Sequence, residues 1–219
     1  MPSTTPPDRI GFPALCLRGL AYILLVGALM QGVLHEALGL TSEQFTEIGF
    51  TELTQSLLLA IATALALAVR LLDHRLPHVA LLLVGLLGAS LIREQDALLD
   101  AHVFDGAWQT LVSLLVLPVL FAVIRQRRAF VAEVERCAGT FAFGLFAAGF
   151  LTTYVFSRLY GRSELWQAIL GEHYLRTFKD AAEEVTELFG YTLLVLAMFE
   201  LLLLIRRWRR ADRDDTSAP

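Results

Sequence analysis

The sequence predicts an all-α polytopic membrane protein with six transmembrane helices, both termini cytoplasmic, and an outer amphipathic helix leading into the last span. Three observations carry that prediction. Of the 219 residues, 56% are hydrophobic and only 18% charged, and the mean hydropathy is +0.58, a balance that soluble domains of this length rarely reach. Six apolar runs are long enough, or nearly so, to cross a hydrocarbon core of about 30 Å as helices of about 20 residues. Arginines gather at alternate ends of these runs, as in membrane anchors.

Residues 1–12 are polar and proline-rich, and are expected to form a disordered cytoplasmic terminus; residues 13–210 form the membrane domain. The first run, 14–34, is too long for a signal peptide core and contains Arg18, so it reads as an uncleaved span ending at His35 and Glu36. The second run covers 50–72. The third, 76–92, is short and borrows 93–99 as an outer extension. The fourth, 107–124, holds Pro118, which removes a backbone hydrogen bond and should kink it. The fifth, 134–156, carries Gly139, Gly144 and Gly149 with Ala142, Ala147 and Ala148, small residues that predict a central, closely packed helix. The sixth, 188–205, ends in an arginine cluster, and 211–219 is expected to be a disordered tail. A short echo links Phe50, Phe104 and Thr186, where the outside-to-inside helices open with similar residues.

Orientation follows from the arginines. With the N-terminus inside, Arg9, Arg18, Arg70, Arg75, Arg125, Arg127, Arg128, Arg136, Arg206, Arg207, Arg209, Arg210 and Arg213 face the cytoplasm, most of the 18 basic residues. Most carboxylates fall on the other side: Glu36, Glu43, Glu47, Glu52, Glu94, Asp96, Asp100, Asp105, Glu164, Glu172, Asp180, Glu183, Glu184 and Glu187. The expected location is a cell inner (plasma) membrane. Trp108, Trp166 and Tyr174 suit an outer interfacial belt, and Trp208 an inner one. Cys16 and Cys137 read as packing residues, and nothing suggests nucleic-acid binding.

Residues 172–191 concentrate the chemistry. At 100° per residue, His173, Arg176, Asp180, Glu183, Glu184, Glu187 and Tyr191 share one stripe, opposite Leu175, Phe178, Val185 and Leu188. Residues 173–180 equally suit a helix lying on the membrane surface; Glu187 and Tyr191 enter the apolar run itself. Two further groups lie at the same boundary. Glu52, Gln55, Ser56 and Thr63 share a face of the second span. Arg93, Asp96 and Asp100 share a face beyond the third, with Glu94 turned away. Asp105 reads as a cap of the fourth helix. Ionisable groups at the rim of a bundle are costly unless paired or wetted. The predicted pocket is therefore Glu52, Ser56, Arg93, Asp96, Asp100, Glu183, Glu184, Glu187 and Tyr191.

Carboxylates about 6 Å apart repel by about 0.7 kcal/mol in water and about 3 kcal/mol at an effective dielectric of ~20. Such a cluster must hold protons, find basic partners such as Arg93, Arg158, Arg176 or Lys179, or bind a cation. Three functional readings follow. The first is binding and movement of a small polar or cationic solute, with proton linkage as one form of it. The second is a membrane-embedded hydrolase of lipid headgroups that uses a divalent metal held by His102, His173, Asp100 and Glu184. The third is an accessory subunit docking a partner on its acidic face. Glu200, the acid of the inner half of the sixth span, is expected to pair with Arg206 or Arg207. His74 and His78 read as loop residues. There is no H-E-x-x-H and no G-x-S-x-G. Leu188 stands where the arginine of the E-E-x-x-x-R helix of CAAX-protease-like enzymes would follow Glu183 and Glu184, so that family's residues do not carry over.

Overall fold

The computed structural model describes residues 10–39 and 49–217, with side chains through residue 213. The expected N-terminal tail, residues 1–9, therefore lies outside the described residues, as do Glu43 and Glu47. Every element within them is helical: α1 Phe12–Gly39, α2 Phe50–Leu72, α3 Pro77–Glu94, α4 Asp96–His102, α5 Ala107–Arg125, α6 Arg127–Ala138, α7 Phe141–Tyr160, α8 Ser163–Leu170 and α9 Arg176–Ser217. A π-helical stretch, Leu151–Phe156, interrupts α7, and a 3-10 turn, Gly171–His173, precedes α9. Six of these helices (α1, α2, α3, α5, α7 and α9) are long and apolar enough to cross a membrane. This is the architecture of a multi-pass membrane protein.

The core gathers on α9. This 42-residue helix is about 63 Å long, twice a bilayer's hydrocarbon thickness, and its apolar stretch is the most buried of the six. Leu188, Tyr191, Leu194, Ala197, Met198, Leu201, Leu204 and Ile205 are buried at the three- and four-residue steps of one helix face. Against them α2 presents Thr51, Gln55, Leu58, Leu59, Ala62, Ala66 and Val69, again one face. Its alanines let α9 approach closely. α7 packs on another side of α9, and α3 packs between α2 and α5. α1 is largely exposed.

Carboxylates from neighbouring helices satisfy two helix starts. Glu133 of α6 accepts from the backbone N–H groups of His78 (2.8 Å) and Val79 (2.9 Å) at the first turn of α3. Its other oxygen meets His78 Nδ1 at 2.6 Å. Glu36 of α1 accepts from the Thr51 N–H (3.1 Å) and Thr51 Oγ1 (2.5 Å) at the start of α2. Both use the orphan N–H groups and positive end of a helix.

Several expectations are revised. The fifth span begins at Phe141 instead of residue 134: Thr140 caps α7, accepting from the Phe143 N–H at 3.3 Å, and 127–138 form the separate helix α6. The central helix is α9, not α7. Of the α7 glycines only Gly149 packs closely, with Gly190 of α9 across from it, whereas a Cβ at Gly139 or Gly144 would meet nothing within 4 Å. Glu200, expected to pair with Arg206 or Arg207, pairs with Arg18 of α1 (2.6 Å) and accepts from Tyr22 Oη. Asp105 does not cap α5; that start is Gly106 at φ 84°, whose N–H donates to Asp100 Oδ1 at 3.1 Å. His78 belongs to α3 and bonds Glu133, so it is no loop residue. Trp208 is buried, under the Arg75 guanidinium 5.8 Å from its ring centroid. α9 continues through Ser217, so the described part of the expected tail is helical. Cys137 is buried, and burial pushes its thiol up to about 11, leaving it a neutral packing group.

The Gly149–Gly190 approach generates a stability prediction. A methyl group at Gly190 would overlap Thr153 Oγ1, so Gly190→Ala should cost about 1–3 kcal/mol. Gly144→Ala should cost nothing, or gain a few tenths of a kcal/mol from helix propensity. Thermal unfolding of the two purified variants in detergent checks this; equal melting temperatures would exclude a tight contact there.

Candidate functional site

The end of the bundle away from the arginine clusters contains a cavity of about 570 Å³, within the range of small-ligand pockets. α2 supplies Glu52, Leu53 and Ser56; the α3–α4 corner supplies Arg93, Glu94, Gln95, Asp96, Ala97, Leu98 and Ala101; and α9 supplies Glu184 and Glu187. Five carboxylates and one arginine line a single space.

Local structure explains how they meet. α3 stops at Glu94 and α4 starts at Asp96, with Gln95 between them. This break ends the helical register assumed for residues 93–100 and re-aims Asp96 onward, while Glu94, in the last turn of α3, accepts a hydrogen bond from Tyr191 Oη at 3.3 Å. Gln95 Nε2 donates to Ser56 Oγ at 2.6 Å, tying the corner to α2. Gln55, fully buried, donates from Nε2 to the Glu184 carbonyl (2.9 Å) and to Glu184 Oε2 (3.0 Å). Its Oε1 is buried with no hydrogen-bond partner.

The π turn in α7 positions the counter-charge. A π turn adds one residue, which rotates the following helix face by about 100° relative to an unbroken α-helix. Beyond it, Ser157 Oγ, which donates to the Thr153 carbonyl at 2.5 Å, lies 3.3 Å from Glu187 Oε1, and Arg158 Nη2 lies 2.6 Å from the same oxygen. Arg158 Nη1 also reaches Glu183 Oε1 at 2.7 Å, and Lys179 Nζ holds the other Glu183 oxygen at 2.6 Å. Glu187 is only 5% exposed, so its pairing matters: a carboxylate at that depth without a partner would be strongly disfavoured.

Of the residues expected to form the pocket, Glu52, Ser56, Arg93, Asp96, Glu184 and Glu187 line the cavity. Tyr191 lies behind it through Glu94. Glu183 is held by Arg158 and Lys179 and does not line it. Asp100 serves the Gly106 N–H instead. Thr63 turns inward, donating to the Leu59 carbonyl at 2.7 Å. His102 is exposed and bonds the Leu98 carbonyl (2.9 Å), and His173 is exposed in the 3-10 turn. Among the described residues no group of three or more His, Cys, Asp or Glu side chains is placed to hold a metal, so His102, His173, Asp100 and Glu184 form no ligand set. The upper part of the acidic stripe balances itself, Asp180 lying 3.5 Å from Arg176 and 3.3 Å from Lys179.

Sequence reasoning missed Glu94, Gln95 and Ser157 as site residues. A cue was available for Glu94, since the apolar run of the third span ends immediately before Arg93. No sequence cue marks the π turn that aims Ser157.

The electrostatics are unequal around the cavity. Glu187 has a guanidinium partner, whereas the hydrogen bonds that Glu94 and Glu184 accept come from the neutral donors Tyr191 and Gln55. The cavity wall thus carries more carboxyl groups than basic groups.

These features define a multi-pass membrane protein with an acidic cavity at one end of its helix bundle. No protein-family model, curated protein or solved structure matches the chain.

Coupling between Arg158 and Glu187 is directly measurable. Arg158→Met should cost about 1–3 kcal/mol, below the full cost of breaking a buried pair because Arg158 is 40% exposed. The double variant Arg158→Met/Glu187→Met should recover most of that loss. A double-mutant cycle of unfolding in detergent should return a coupling of at least about 1 kcal/mol; additivity would show that the pair contributes nothing.

Proposed function

We propose that this protein binds a small cationic or polar solute in the cavity formed by α2, the α3–α4 corner and α9. One observation carries the reading: Glu52, Glu94, Asp96, Glu184 and Glu187 line one cavity alongside only one arginine, Arg93. Bringing like charges together at a bilayer boundary is unfavourable, and a bound cation reverses that sign. Arg93 adds a complementary contact for a solute that also carries an oxyanion or carbonyl.

The positive-inside pattern supports an orientation with both termini cytoplasmic and this cavity facing outward, in a cell inner membrane on our reading. Movement of the solute needs more than the cavity. Leu59, Leu87, Leu194 and Met198, all fully or almost fully buried, form an apolar layer between it and Glu200. Transport would therefore proceed by rearrangement of the packed helices, and not through a standing channel. Protonation of the carboxylates would be the natural coupling to such a change.

Glu184 is the most informative position, because its carboxylate faces the cavity and already has a neutral donor. Glu184→Gln should lower affinity for small primary and quaternary ammonium probes by at least about tenfold, a change of about 1.4 kcal/mol. The membrane-inserted, folded fraction should be unchanged. Calorimetric titration in detergent measures the first, and size-exclusion behaviour the second. Unaltered binding in Glu184→Gln and Glu187→Gln alike would sink the reading. Uptake into proteoliposomes then separates movement from binding.

A further inference from the structure

A second cavity, of about 390 Å³, lies at the opposite, arginine-rich end and is unlike the first. Leu86 of α3, Phe130 and Val134 of α6, Phe146 of α7 and Met198 of α9 line it. Two polar groups reach its wall, and both are already accounted for. Thr140 Oγ1 donates to the Cys137 carbonyl (2.7 Å) while capping α7, and burial keeps the Cys137 thiol neutral. Nothing inside asks for a polar ligand. An apolar space of this size, set among membrane-spanning helices, suits hydrocarbon.

α6 closes the cavity on that side and is two-faced. Phe130, Val134 and Cys137, at three- and four-residue steps, face the space. Arg127, one turn before Phe130, is exposed beside Arg128, and neither forms an ion pair among the described residues. Arg136, next to Cys137, is exposed and bonds the Arg75 carbonyl at 3.2 Å. Uncompensated guanidinium groups at the end of an apolar cleft between helices match a phosphate bonded to an acyl chain.

We infer that the cavity between α3, α6, α7 and α9 is a binding site for an anionic phospholipid, with one acyl chain against Phe130 and Val134 and the headgroup phosphate at Arg127 and Arg128. The site is independent of the acidic cavity and does not rest on its proposed role.

Native mass spectrometry of the full-length protein, titrated in detergent with equal dioleoyl phosphatidylglycerol and dioleoyl phosphatidylcholine, tests this. Wild type should retain one phosphatidylglycerol with at least tenfold preference. Arg127→Gln/Arg128→Gln should bring the two lipids close to parity, and Val134→Trp, which fills the cavity, should lower retention of both at least tenfold. Equal retention of the two lipids by wild type would overturn the inference, as would an unchanged preference in the double arginine variant. Oleic acid retained ahead of phosphatidylglycerol would overturn the phosphate assignment. Should Val134→Trp fail to fold, the exposed arginine pair decides the question alone.

Discussion

The burial of Glu187 is the constraint on which the acidic end of this protein depends. A carboxylate only 5% exposed inside a helix bundle needs both a cation and hydrogen bonds to remain there. Arg158 supplies the cation and a charged N–H donor, with the Ser157 hydroxyl 3.3 Å away, and both arrive on one stretch of α7. For that stretch to face α9, α7 must change register, and the π turn at Leu151–Phe156 is where it does so. Close approach of α7 and α9 then requires Gly149 and Gly190, since side chains there would hold the helices apart. Charge, register and small residues are thus one arrangement. Changing any of them moves Glu187 out of reach of its partner.

Glu200 is the matching constraint at the other end. It lies thirteen residues further along α9, about 20 Å away, and is 1% exposed. Its partners Arg18 and Tyr22 both come from α1. This explains why a helix so poorly buried in apolar terms stays attached: polar contacts at both of its ends, Arg18 to Glu200 and Glu36 to Thr51, fix its position. In lipid, helices gain little from apolar contact with one another, so specific hydrogen bonds and ion pairs carry more of the association.

The sequence and the structure agree on elements and diverge on partners. Six spans were legible because an apolar run of membrane length is a one-dimensional signal. The acidic boundary was legible for the same reason, and Glu52, Ser56, Arg93, Glu184 and Glu187 do line one cavity. What could not be read was which groups face each other across helices. Glu200 meets Arg18, 182 residues away in sequence, although nearer arginines were available. Glu94 joined the site from the last turn of α3, and the helix break at Gln95 re-aimed Asp96 and Asp100, a local event that the periodicity of 93–100 concealed. The Thr140 cap separating α6 from α7 had a local cue, a threonine directly before an apolar run, but the small residues on both sides made one long span look continuous.

The two ends of the bundle treat charge in opposite ways. At the arginine-rich end, buried acids are matched: Glu200 by Arg18, Glu133 by His78 and the first turn of α3. Arg75 meets Asp73 and Asp212 there while covering Trp208. These contacts close the structure. At the acidic end Glu187 is matched in the same way, yet Glu94 and Glu184 beside it are held by neutral donors and turned toward a cavity. If stability were the only requirement, replacing those two carboxylates with apolar groups of similar volume would cost nothing or help, as it often does for buried ions. Keeping them ionisable, at a boundary where repulsion among them is strong, makes sense when a further positive group completes the set. The contrast between the ends, more than the number of acids, directs attention to Glu94 and Glu184 as the place where that group would sit.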